Sequence, residues 1–124
     1  MRFNKLNLSV DATSKLRSLQ QRTGLTPNLL CRIAAMVSLE DGPIGDGPIP
    51  DQEGKELNAY TLTGDFNSLL GALVRFVETP TTSEPLNDDQ LLDRFRAHIH
   101  RGVGTLSVRA RTPADLARLV AEAA

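Results

Sequence analysis

The sequence predicts a mainly α-helical fold in one compact domain: a short strand and two helices first, then two or three further helices. Three observations carry this. The 124 residues are 40% hydrophobic, a size that suits one core and buries roughly two-thirds of the unfolded surface. A period-two apolar pattern occurs only at the start, whereas later apolar residues recur at three and four. All but one of the recurring stretches are introduced by a capping serine, threonine or asparagine, and several are closed by glycine.

Arg2 to Asn7 alternates, with Leu6 and Leu8 on one side and Phe3, Lys5 and Asn7 on the other, as in a half-buried strand. Ser9 then stands at an N-cap position, Asp11 in the first helical turn, and Gly24 where a left-handed C-cap belongs. Between them Ala12, Leu16 and Leu19 form a narrow stripe flanked by Lys15 and Arg22 on one shoulder and Arg17 on the other. Thr26 and Pro27 open a second helix that is apolar nearly all round and reads as the core helix, ending at Asp41 and Gly42. Its Cys31, Ala34, Ala35 and Ser38 make a small-residue face on which another backbone, of this chain or of a second subunit, can approach closely.

Residues 42–56 hold three prolines, four glycines and several acids, and read as an exposed acidic insertion. Within the following segment, 57–106, Leu57 to Thr63 is expected to be extended and Asp65 to Glu78 helical. The latter rests on Phe66, Leu69, Leu70, Leu73, Val74 and Val77. Asn87 and Gln90 form a capping box for a helix from about Asp88 to Arg101, with Gly102 and Gly104 as its expected stop. In the extension, 107–124, Thr112 and Pro113 open a last helix carrying Leu116, Leu119 and Val120.

Charge is sorted along the chain. From Met1 to Leu39 six cations stand against Asp11 alone, and from Glu40 to Asp93 twelve acids face only Lys55 and Arg75. From Arg94 onward six arginines meet two acids, Asp115 and Glu122. The net charge of −1 therefore hides two basic segments, which on convergence would present a face for a polyanion. Without a charged-then-apolar leader or a run near the ~20 apolar residues of a membrane helix, the chain reads as soluble and cytoplasmic, with no membrane partner. A single cysteine, Cys31, excludes an intrachain disulfide and a cysteine metal cage.

Arg94, His98 and Arg101 fall at i, i+4 and i+7, with Arg96 and His100 on another face. Guanidinium forks there suit phosphate oxygens, although cations near a helix C-terminus equally complement its dipole. His98 and His100 point about 200° apart on a helix, which argues against metal binding. Arg32, alone among the charges inside the second helix, must pair with an acid or reach the rim. No phosphate-cradling glycine loop and no recognisable nucleophile context occurs, so no cofactor is expected and catalytic residues stay unassigned.

Strand, capped helix, the turn Thr23 to Pro27 and second helix together resemble a ribbon-helix-helix DNA-binding unit, which implies strands paired between two subunits and Lys5 and Asn7 directed toward base edges. A closer resemblance spans about Leu6 to Leu106. The run from Arg22 through Thr26-Pro27-Asn28 to Arg32, then Ser38-Leu39-Glu40, Thr61 to Phe66, and His98-Ile99-His100-Arg101-Gly102 resemble the DndE family, the small subunit of the DNA phosphorothioation (sulfur modification) machinery. The resemblance implies a small helical DNA binder preferring nicked duplex, often a homo-oligomer, working beside a cysteine desulfurase, a sulfurtransferase-like subunit and an ATPase. The family's basic residues carry over to Lys15, Arg17, Arg22, Arg32 and Arg101, while the acidic insertion and the tail after Ser107 depart from its pattern.

The reading is a DNA-binding accessory subunit contacting phosphates through Lys5, Lys15, Arg17, Arg22 and Arg32 and through Arg94, His98, His100 and Arg101. Three rivals stand beside it. One is a nicking enzyme drawing on Asp93, His98 and His100; the second is a ribbon-helix-helix transcriptional regulator; the third is a scaffold docked through the small-residue face.

Overall fold

The computed structural model describes residues 1–123. The chain runs β1 (Lys5–Asn7), α1 (Val10–Thr23), α2 (Pro27–Glu40), β2 (Glu56–Asn58), α3 (Ala59–Leu62), α4 (Asn67–Glu78), α5 (Asp88–Arg109) and α6 (Pro113–Ala123), with 3-10 turns at Gly64–Phe66 and Thr79–Thr81. It is mainly helical, as the sequence predicts. The 22-residue α5 is the central element: α2 packs along it most extensively, and α1 and α4 flank it.

Local chemistry accounts for the helix ends. The Ser9 hydroxyl accepts the Ala12 N–H at 3.0 Å, and Gly24, at φ 74°, closes α1 in the left-handed region. Asn87 and Gln90 complete the capping box at 2.9 Å in each direction. Thr112 Oγ1 accepts the Asp115 N–H at 3.2 Å to open α6, whose Leu116 is buried. The side chain of Val120, expected on the same stripe, lies outside what the structure describes.

Leu6 in β1 and Leu8 just after it point inward and are buried. The strand pairs antiparallel with β2 of its own chain, Leu6 opposite Leu57, where the ribbon-helix-helix resemblance implies pairing between subunits. Leu8 and Gly54 continue the ladder through Leu8 N–H to Lys55 O at 2.8 Å and Gly54 N–H to Leu8 O at 2.7 Å. A Cβ at Gly54 would lie 2.2 Å from Thr13 Oγ1 and 2.3 Å from Ser9 O, so only glycine fits where the long loop closes onto α1.

Four expectations are corrected. Leu57 to Thr63 is extended only through Asn58 and then turns helical as α3. Asp65 and Phe66 belong to a 3-10 turn ahead of α4. That helix buries Leu70, Gly71, Val74 and Glu78 and leaves Leu69 and Phe76 exposed, so its apolar residues are divided between the core and an outer surface. Finally, α5 passes straight through Gly102 and Gly104 to Arg109. At Gly102 a Cβ would sit 1.8 Å from the Ala34 carbonyl oxygen. The glycine is there for the closest approach of α5 to α2, and the small-residue face of α2 takes a neighbour from the same chain.

Candidate nucleic-acid interface

Arg94, His98 and Arg101 do not turn outward to join the cations of α1 in one patch. They turn toward α2 and α4, where they build an internal polar network. Glu78, in register with Leu70 and Val74 on the buried face of α4 and itself fully buried, is its centre. Its carboxylate accepts the backbone N–H groups of Ile44 (2.8 Å) and Gly45 (2.9 Å) and the Arg94 Nη1 donor at 2.5 Å. Arg94 also bonds Thr81 Oγ1 at 3.1 Å and Asp46 at 2.6 Å. Arg101 donates Nε to Ser38 Oγ at 2.8 Å and Nη2 to the carbonyls of Ser38 (2.6 Å) and Gly42 (2.5 Å). It thereby satisfies backbone acceptors at the C-terminus of α2, which has no basic residue in its own last turn.

His98 links the two halves. Its Nε2 is 3.1 Å from Glu78 Oε2 and its Nδ1 2.8 Å from Ser38 Oγ. A carboxylate only accepts, which assigns the proton to Nε2; Nδ1 then accepts the Ser38 hydroxyl proton, leaving that oxygen to accept from Arg101. Every donor in the chain Arg101, Ser38, His98, Glu78 has an acceptor. The expected anion-binding edge is therefore an internal strap holding the start of the acidic loop against α4 and α5, and the fully buried His98 ring is closed to a surface ligand.

Burial pushes the His98 pKa down, the Glu78 contact opposing it and the Arg101 and Arg94 charges adding to it. For Glu78, burial acts upward, yet the Gly45 and Ile44 amides, Arg94 and His98 together hold the carboxyl below its ordinary value. Both lowered values give stability the same sign with pH. Below the ordinary histidine value of 6.5 the unfolded chain takes up a proton that folded His98 resists, and below 4.5 it takes up a further proton that folded Glu78 resists. Urea midpoints for the parent protein are expected to fall from near pH 6.5 downward, and His98→Asn, though less stable throughout, to lose the upper part of that slope. A parent curve flat between pH 7 and 5 would contradict the assignment.

The remaining cations are placed otherwise. Lys5 pairs with Glu56 at 3.5 Å across the exposed ladder, and half-buried Arg32 stands over the Phe66 ring, 6.0 Å from its centroid. On α1, Lys15 is 2.8 Å from Asp11, an exposed i, i+4 pair that also holds the Asp11 carboxyl below its usual range. Arg22 reaches back to α5 through Ser107 O at 3.3 Å. Arg17 is exposed, has no ion pair or hydrogen bond among the described residues, and borders a shallow depression with Ser14, Gln20, Glu53 and Lys55. His100, one face round α5 from His98, accepts or donates at Nδ1 to Ser9 Oγ at 2.7 Å and is half exposed beside α1. Lys55 and Ser9 are additions that sequence spacing did not select. Among the described residues no group of three or more histidine, cysteine or acidic side chains is arranged to hold a metal, and no helix is long and apolar enough to cross a membrane. Cys31 is buried mid-helix, which pushes its thiol up to about 12.

Comparison with known proteins gives these elements a family. The crystal structure of DndE from Escherichia coli B7A, involved in DNA phosphorothioation modification, superimposes with a TM-score of 0.72 at 23% identity, over 86% of this chain and 100% of that one. A mutant DndE involved in DNA phosphorothioation matches at 0.70 and 21%, over 86% and 99%. At such identities the likeness concerns the fold. No curated protein sequence matches. The family model described as DNA sulphur modification protein DndE matches residues 5–113, from the first residue of β1 to the first of α6. Spanning most of the described fold, that match establishes that the chain belongs to the DndE family.

Proposed function

We propose that this chain is a DNA-binding accessory subunit of the phosphorothioation machinery that grips the phosphate backbone through α1 and prefers nicked duplex. The observation that carries the reading is the outer side of α1: Arg17 exposed and unpaired among the described residues with Lys55 alongside, and Lys15 and Arg22 together on the opposite shoulder of the helix. Asp11, Asp51, whose carboxylate accepts the Val10 N–H at 3.1 Å, and Glu53 oppose them locally. A face of this kind supplies affinity without sequence choice. The preference for nicked duplex is what the family resemblance implies. Family membership supports association with the other subunits of the modification system.

Replacing Arg17 and Arg22 together by alanine is expected to weaken binding to all sequences alike and to reduce the slope of log affinity against log salt by about 2. Fluorescence anisotropy on intact, nicked and single-stranded oligonucleotides over a salt series measures both. Unchanged affinity in the double variant, or binding confined to one defined sequence, would overturn the proposal.

A further inference from the structure

The domain leaves an apolar surface uncovered where α2, α4 and α6 meet. Leu29 (37% exposed) and Met36 (45%) on α2, Phe66 (51%) in the turn before α4, and Leu69 (55%) on α4 border an open groove of about 630 Å³ to which α6 contributes Leu119. Clustered exposure of this kind marks a place where another surface is buried. Charge gives the groove a direction. Arg32 lies at the Phe66 end, its Nε buried without a partner and its guanidinium in no ion pair among the described residues. Eight residues further along the same helix comes the exposed Glu40, about 12 Å away at 1.5 Å per residue, followed by the exposed Asp41 at the helix C-cap. The remaining rim charges, Arg109 and Glu122, face each other at 3.7 Å.

We propose that this groove docks an amphipathic helix of a partner protein. The helix sets a carboxylate over Arg32 and a lysine or arginine over Glu40 and Asp41, with apolar anchors at i, i+3 or i+4, and i+7 between them. The carboxylate gives the Arg32 guanidinium the counter-charge it lacks among the described residues. A recessed surface takes a convex element such as a helix.

Three fluorescein-labelled helical peptides with one common apolar face test the proposal on the full chain. One carries Glu and Lys eight residues apart, one Glu at both positions, one Lys at both. The Glu–Lys peptide is expected to bind at least about tenfold tighter than either other peptide, and Arg32→Glu is expected to shift the preference to the Lys–Lys peptide. Equal affinity for all three, or no saturable binding up to ~1 mM, would overturn it. So would a stable dimer in sedimentation that Met36→Glu dissociates, which would assign the groove to a second copy. The peptide ranking on the parent protein decides the matter even if circular dichroism shows Arg32→Glu to be unfolded.

Discussion

Alanine at Gly102 is expected to destabilise the protein by about 3 kcal/mol or more, while alanine at Gly104, two residues along the same helix, is expected to be neutral or stabilising by up to about 1 kcal/mol. Intrinsic helix propensity favours alanine equally at both positions, so the difference measures packing alone. A Cβ at Gly102 would lie 1.8 Å from the Ala34 carbonyl oxygen and 2.4 Å from its carbonyl carbon, backbone atoms that no rotamer change can move aside. Relief requires α5 to separate from α2, the most extensive helix contact in the domain. At Gly104 the only heavy atom that a Cβ would meet within 4 Å outside its own stretch of helix, among the described residues, is Lys15 Nζ, at 4.0 Å, the tip of a flexible side chain. Against a whole-domain stability of about 5–15 kcal/mol, the first change should be visible as a large fall in urea midpoint by circular dichroism. Equal midpoints for the two variants would show that α2 and α5 are not in backbone contact at Gly102.

That pair of glycines also marks where the sequence stops being legible. Caps are local: Ser9, Thr26 and Asn87 each act on the amide three residues on, and their pattern foretells the starts of α1, α2 and α5. A glycine in a helical stretch has two physical meanings, chain termination and close approach, and only the neighbour's position separates them. The same ambiguity governs the arginines. Spacing of i, i+4 and i+7 puts Arg94, His98 and Arg101 on one face whether that face meets water or a buried carboxylate. A signal was present in Glu78, which continues the Leu70 and Val74 register and so demands a cation opposite it. It names no partner, because Arg94 lies 16 residues away on another helix. On α1, by contrast, the narrow stripe of Ala12, Leu16 and Leu19 fixes which side faces outward, and Arg17 stands exposed as its position implies. For α4 the apolar residues on both sides were visible, but the groove that uses the outer side needs α2 and α6 in place.

Glu78→Ala is expected to cost about 3–5 kcal/mol, the penalty for leaving a buried ionic group without its counter-charge. The loss is distributed. Arg94, its side chain only 11% exposed, keeps the exposed Asp46 but loses its buried partner; the Ile44 and Gly45 amides lose their acceptor; and His98 Nε2–H is left facing a cavity. Glu78→Gln retains an amide oxygen for the loop but no charge for Arg94, so it should fall between parent and alanine. Global unfolding alone would not distinguish this network from ordinary packing, and hydrogen exchange supplies the second readout: protection at Ile44 and Gly45 should drop in Glu78→Gln well before protection in the middle of α5. Removing both charges together, Glu78→Leu with Arg94→Leu, should cost less than the sum of the two single changes, because neither is left buried alone. A coupling near zero would mean that Arg94 is held by Asp46 and solvent, and that the carboxylate serves the loop amides alone.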